Sequence, residues 1–215
     1  MGRKPIEKFR AENPELRKKW VEQLIPVYLK NGLKKFSMDD VAAQLNVSKA
    51  TLYKHFSSRE SLLEFSLEVK LQQIGNFQAD LFNEQLPFLD RYIAAIHVFF
   101  HEISGISNEF LADLKHLHPK LWKKVEFFRN FAADLLKEFY KKGIEQGYFN
   151  EVEPAILVLN DRLFFDAISD PDFLNENNLT LQASFHSYFN LRINGLFANR
   201  THQLEMQQKI EALSK

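Results

Sequence analysis

The stretch FSMDDVAAQLNVSKATLYKHFSSRE, from Phe36 to Glu60, leaves the chain little choice of local fold. Ser37 is placed to cap a helix, with Asp40 three residues on to complete a capping box and complement the helix dipole. Val41, Ala42 and Leu45 share one face, the narrow apolar stripe of a short packed helix. Asn46 tolerates the left-handed backbone of a sharp helix–helix turn. Val47 plugs the angle, and Ser48 is an N-cap for a second helix. In that helix Leu52 and Phe56, at i and i+4, point to a core. Lys49, Ala50, Thr51, Tyr53, Lys54 and His55 are left on or near the exposed sides. No acid lies between Asp40 and Glu60. Hydroxyls, hydrogen-bond donors and cations are the groups that meet phosphate oxygens and base edges, so this helix is a candidate for the major groove of double-stranded DNA. Ser57 and Ser58 can cap a third helix, with Glu60 in its first turn and Arg59 placed for a phosphate. The plain alternative is a helical hairpin with a solvated basic face.

The charge distribution bears on that choice. The net charge is zero, yet residues 1–57 carry 12 Lys/Arg against 6 Asp/Glu, and the remainder 16 against 22. Basic charge is concentrated at the motif, and the acidic excess elsewhere repels DNA from the wrong face. The absence of cysteine excludes disulfides and thiolate metal sites. The opening MGRKPIEKFRAENPE lacks the apolar core of a signal peptide, and no stretch approaches a membrane span. A cytoplasmic protein with no membrane partner is the expectation. Residues 1–14, polar and holding Pro5 and Pro14, read as a mobile arm. Its Arg3 and Lys4 either enter a minor groove or belong to a disordered terminus.

VAAQLNVSKATLYKHFSSRESLL resembles the helix-turn-helix of the TetR family of transcriptional regulators, through Leu62 and Leu63. Upstream, Trp20, Leu24, Val27 and Tyr28 form an apolar face of helical period, closed by Asn31-Gly32. The similar stretch covers about residues 17–63 and is silent on any effector. The resemblance implies a dimeric repressor or activator whose C-terminal helices bind a ligand or a signal. By position it assigns DNA contacts to Lys49, Ala50, Thr51, Tyr53 and His55, and phosphate clamps to Ser37 and Arg59. Ser48 and Lys54 join this candidate interface. Two departures stand out: Asn46 occupies a turn position usually filled by Gly, and Pro26 sits inside the first helix, where it deletes a backbone hydrogen bond and predicts a kink.

Beyond the motif the chain reads as helix almost throughout, with no strand alternation and no repeat. Expected helices run from Ser58 to Phe82, Phe88 to Ser104 and Asn108 to His116. A long one starts at Pro119 and ends in the Gly143–Gly147 region, and another runs from Pro154 to Ile168. DPDFLNENN reads as a loop. Leu179 to Arg200 is the last long helix, and Thr201 to Lys215 is helical in pattern but polar. The expected fold is all-α: a three-helix DNA-binding domain over residues 1–57 and a helical effector-binding and dimerisation domain over 58–215.

Of the 21 Phe residues, 18 lie beyond residue 57. Such a body is either plain core or a helical pocket for a small apolar or amphipathic effector. Candidate lining residues are His97, Phe100, His101, Phe128, Phe131, Asp161 and Phe165. His97 and His101 have two-His metal spacing but no local third ligand, and Asp161, Asp166, Asp170 and Asp172 lack calcium-loop spacing, so no metal or cofactor is expected. No phosphate loop, nucleophile elbow or paired-acid motif supports an enzyme. Leu159 and Leu163, then Phe185, Phe189, Ile193 and Leu196, repeat at helical spacing on two helices with more apolar surface than one packing face requires. The family places its dimer interface on two such helices per subunit, and these residues suit it. The reading is therefore a homodimeric, ligand-responsive DNA-binding regulator, in all expectation a repressor on a near-palindromic operator. The competing reading is a small-molecule binding or carrier protein with a non-functional helix-turn-helix.

Overall fold

The computed structural model describes residues 13–212, so Arg3 and Lys4 lie outside the described residues. Helix α1 spans Pro14–Asn31. Asn13 accepts the Leu16 amide at 3.1 Å and Pro14 takes the first helical position, where its missing N–H costs nothing. These two residues, assigned above to the arm, instead start the helix. The helix continues through Pro26 as one element; Pro26 and Glu22, whose carbonyl loses its partner, both face solvent. Gly32 ends it with φ 75° and its N–H on the Tyr28 carbonyl at 2.9 Å. A Cβ there would stand 2.7 Å from Asp113 Oδ2, so Gly32 serves both turn and close approach.

Helices α2 (Met38–Gln44), α3 (Lys49–His55) and α4 (Arg59–Gly75) follow. The expected helix from Ser58 to Phe82 breaks at Asn76, where α5 (Phe77–Leu81) turns away to bury Phe77 and Leu81 against α6 (Phe88–Ile103). Then come α7 (Asn108–Leu117), α8 (Pro119–Glu145) and α9 (Pro154–Ile168).

DPDFLNENN is not a loop. Asp170 caps the Asp172 amide at 3.0 Å, Pro171 opens α10 (Pro171–Glu176), and Leu174 is fully buried. Lys115 holds the Asp170 carboxylate at 2.8 Å, and Asn178 ends the segment with φ 53°. Asp-Pro here is a cap followed by a first-turn proline.

The last long helix is also shorter than expected. Helix α11 covers Leu181–Leu196, and α12 (Arg200–Ala212) departs in a new direction. The break at Phe197 is stitched to the α8–α9 connection: Asn150 N donates to Leu196 O at 2.8 Å and Ala198 N to Tyr148 O at 3.1 Å. Phe149 and Phe197 make an isolated antiparallel bridge. Phe149 fits because residue 143 is glycine; a Cβ there would sit 2.1 Å from the Phe149 ring. The polar-looking tail is anchored by Met206 and Ile210, both fully buried, and by Lys209 on Asp90 at 3.0 Å.

Candidate nucleic-acid interface and body cavity

The local caps produce the helix-turn-helix. Ser37 Oγ donates to Asp40 Oδ2 at 2.6 Å and accepts the Asp40 amide at 3.2 Å, while the Ser37 amide donates back to Asp40 Oδ2 at 2.8 Å. Those hydrogen bonds hold the exposed Asp40 carboxyl below its ordinary value. Asn46 takes φ 55°, Val47 N reaches Ala42 O at 2.9 Å, and Ser48 Oγ accepts the Thr51 amide at 3.0 Å. Leu52 and Phe56 are buried. Ser48, Lys49, Ala50, Tyr53 and Lys54 stand exposed on one side of α3, with Thr51 half-buried among them.

Beyond the capping serines Ser37 and Ser48, three more candidates are already engaged within the chain. Lys49 Nζ binds Asp39 Oδ2 at 2.8 Å, which raises the ammonium above its ordinary value. The basic face is therefore free of acid in sequence but not in space. His55 is half-buried, with its ring edge-on to Trp20 at 4.9 Å, and so packs α3 on α1. Arg59 donates Nε to Phe36 O at 2.8 Å and Nη2 to Leu33 O. It pins the α1–α2 loop, and the phosphate-clamp assignment loses two of its donors to carbonyls. These contacts involve residues 10 to 35 positions away, beyond the reach of a spacing argument.

A second buried contact ties this end to the body. Asp113 on α7, 1% exposed, accepts the amides of Leu33 at 2.7 Å and Lys34 at 3.0 Å, with Lys34 Nζ at 3.2 Å. Burial pushes its carboxyl up, but the two amides and the ammonium outweigh this and hold it below the usual carboxylate range. Ser107 N donates to Leu29 O at 2.9 Å, and His118 Nδ1 lies 3.0 Å from Glu60. Nothing in the sequence around Asp113 marks this role.

The body encloses a cavity of about 100 Å³ between α4, α7, α8 and α9, lined by residues that include Leu71, Ile74, Leu114, Phe128, Arg129 and Phe165. A smaller one of about 40 Å³ adjoins it, sharing Phe99, Ala132 and Phe165 as walls. Its lining contains Asp161, 1% exposed, which accepts hydrogen bonds from Tyr140 Oη at 2.7 Å and from Tyr188 Oη. Arg192 Nε lies 3.5 Å from the same carboxylate. Burial pushes the Asp161 carboxyl up, and Arg192 and the two phenols only partly pull it back. Tyr92, on the same wall, is likewise buried.

Of the predicted lining residues, Phe128, Phe165 and Asp161 face these cavities. The others do not. His97 and His101 are exposed on the outer face of α6, His101 beside Glu102 at 3.1 Å. Phe100 is buried against Phe189 at 5.7 Å, in core rather than cavity. Phe131 stands on an outer groove with Phe127. Helical spacing put these residues on apolar helices but not on the inward side. Among the described residues, no group of three His, Cys, Asp or Glu could hold a metal ion, and no helix is long and apolar enough to cross a membrane.

The proposed dimer set divides in two. Leu159 and Leu163 on α9 are exposed, Leu163 by 63%. Phe185, Phe189, Ile193 and Leu196 on α11 are instead internal core, with Phe185 4.7 Å from Phe99. The outward face of α11 is Ala183, Ser187, Leu191 and Gly195, at i, i+4, i+8 and i+12, with Leu191 73% exposed. Ile156 extends the α9 stripe. The face was misread because α11 carries large aromatic residues inward and small ones outward.

Two capped helices set by a tight turn, with a hydroxyl-rich and basic face on the second, define a helix-turn-helix DNA-binding protein. Residues 27–64 match the model of bacterial regulatory proteins of the tetR family. The chain is 22% identical over 165 residues to an uncharacterized HTH-type transcriptional regulator, YvaF, of Bacillus subtilis, covering 76% of this chain and 87% of that one. It is 22% identical over 177 residues to IcaR, the HTH-type negative transcriptional regulator of the biofilm operon icaADBC of Staphylococcus aureus, covering 69% and 95%. The fold is shared with a TetR-family transcriptional regulator from Marinobacter aquaeolei: TM-score 0.71, 18% identity, 90% of this chain and 98% of that one. The chain thus resembles TetR-family transcriptional regulators in its helix-turn-helix and shares the fold of one of them.

Proposed function

We propose that this regulator acts in the cytoplasm as a homodimeric, ligand-responsive repressor. In this reading, residues up to about 57 read DNA and the helices from residue 58 onward hold the effector and the dimer contact. Ser48, Ala50, Thr51, Tyr53 and Lys54 present themselves to the major groove, with Ser37 at the flanking phosphate and Lys49 released from Asp39 as it meets the DNA anion. Two copies joined through Ile156, Leu159, Leu163 and Leu191 set two such helices about 34–36 Å apart, or a multiple of the helical turn, over a near-palindromic operator.

The observation that carries the ligand-responsive part is the seat of Asp113. It lies on α7 between Leu111 and Leu114, both of which line the larger cavity, and it grips the loop that leads into α2. Helix α4, separated from α3 by three residues, lines the same cavity with Leu67, Leu71 and Ile74. Filling the cavity moves α7 and α4 together, and with them the spacing of the reading helices. DNA and ligand then bind with opposing, reciprocal linkage.

The test is selection of bound duplexes from a random pool by the full chain. A two-fold symmetric site, bound with an affinity that falls steeply with salt, is the expected result. No enrichment over bulk DNA would return the chain to the carrier reading.

A further inference from the structure

The larger cavity carries an unusual pair of features. Its lining is almost wholly apolar, and the charged side chains on it are two cations, Lys70 and Arg129, with no acid in the lining itself. Lys70 is already neutralised: its Nζ binds Glu102 Oε2 at 2.7 Å. Arg129 is not. One terminal nitrogen, Nη2, reaches Asp166 at 3.1 Å on the outer side. Its Nε and Nη1 are buried and have no hydrogen-bond partner. The guanidinium also lies against the Trp122 ring, 5.5 Å from its centroid.

A guanidinium with two nitrogens enclosed and unpaired is costly, because each N–H has left water and found no acceptor. It is also a group that an anion can satisfy, through one carboxylate oxygen on Nη1 or on Nε, which lie on different edges of the guanidinium. The apolar walls beside it, from Leu71, Ile74 and Phe128 to the shared Phe99 and Phe165, suit a hydrocarbon body. Rotation of Phe99 and Phe165 would join the two cavities and lengthen the space in the direction of the Asp161 cluster.

We propose that the effector is an anionic amphiphile: an apolar aliphatic body ending in one carboxylate, with a carboxylate oxygen on an unpaired nitrogen of Arg129 and the body in the cavity. This rests on the reading of the body as an effector domain. Arg129 then acts as the specificity determinant, selecting an anionic head over a neutral or cationic one of the same length.

The probes are octanoate, octanol and octylamine, titrated into the full chain while tryptophan fluorescence is followed. Trp122 touches the proposed carboxylate site, whereas Trp20 lies on α1 beside His55. Octanoate is expected to change the emission saturably and to bind at least about tenfold tighter than octanol, the difference being a charge-assisted hydrogen-bonded pair. Octylamine is expected to bind weakest. Trp122→Phe should abolish the signal, and Arg129→Gln should bring octanoate and octanol to equal affinity. Should Arg129→Gln fail to fold, Asp166→Asn serves: with its one carboxylate partner gone, Arg129 should bind octanoate more tightly. Equal affinity of the wild-type chain for octanoate and octanol, or no response to either, overturns the proposal. Operator DNA keeps the two readings separable. Binding of octanoate without release of bound DNA removes the regulatory coupling and leaves the site; DNA binding with no octanoate response removes the site and leaves the regulator.

Discussion

In the head, Tyr53 and Lys54 stand in solvent on a seven-residue helix whose start is held by Ser48 and whose partner helix is held by Ser37 and Asp40. In the body, Asp161 and Arg129 sit among phenylalanines, and their neighbours arrive from helices distant in the chain. Both regions carry polar groups committed to a purpose, but the head exposes them on locally determined supports and the body encloses them by tertiary packing. The contrast shows where change is tolerated. A solvated group can be removed at the expense of its own contact, whereas an enclosed one strands its partners.

The two enclosed carboxylates differ again. Asp113 is surrounded by donors and stays ionised; Asp161 lies in apolar surroundings, where burial outweighs Arg192, Tyr188 and Tyr140 and favours the proton. One fastens the head to the body, and the other belongs to the body alone.

The sharpest break of the comparison is at the exposed stripe. Leu163→Glu with Leu191→Glu should give monomers by sedimentation, with the fold intact by circular dichroism. Operator affinity should fall by roughly a hundredfold or more as the second reading head is lost. A dimer surviving both changes would move the interface away from α9 and α11.

Next is Asp113. Asp113→Ala leaves the Leu33 amide buried without an acceptor and should cost about 2–3 kcal/mol in denaturant unfolding. Its wild-type contribution has a definite pH sign. The folded carboxyl lies below its unfolded value, so the stabilisation is present above the ordinary carboxylate range and is lost as pH falls through the folded value. Asp161 has the opposite sign: its raised folded value gives stability below the ordinary range that fades as pH rises through it. Asp113→Asn should therefore flatten the acid limb of the stability profile, and Asp161→Asn should not. Identical profiles for the two variants would erase the distinction.

The smallest effect on stability belongs to the head. Tyr53→Ala should weaken operator binding by about tenfold, within the ~1–3 kcal/mol of a good base contact, while unfolding shifts by less than about 0.5 kcal/mol. His55→Ala should reverse that order, because its ring packs on Trp20, so the melting curve should move more than the DNA titration.

The sequence carried much of the head. Ser37, Asp40, Asn46 and Ser48 act within three or four residues of themselves, so their spacing is nearly their structure. It carried the helical character of the body as well, but not its inward side. His97 and His101 share a face and were expected to line a pocket, yet that face looks outward. On α11 the large rings form core and the small residues form the free surface, the reverse of the expected interface. Asp170 and Pro171 hold a cap and a first turn that composition alone made look like a loop.

By itself, then, the sequence determined the caps, the tight turn, the exposed chemistry of α3 and the division of charge, because each depends on groups a few residues apart or on simple sums along the chain. The tertiary structure alone decided that Asp113 meets Leu33 across 80 positions, that Lys49 is shared with Asp39, that Arg129 keeps two unpaired nitrogens at a cavity, and which side of α11 is free. Periodicity states that a helix has an apolar face. Only the arrival of a neighbour decides whether that face is buried, and against what.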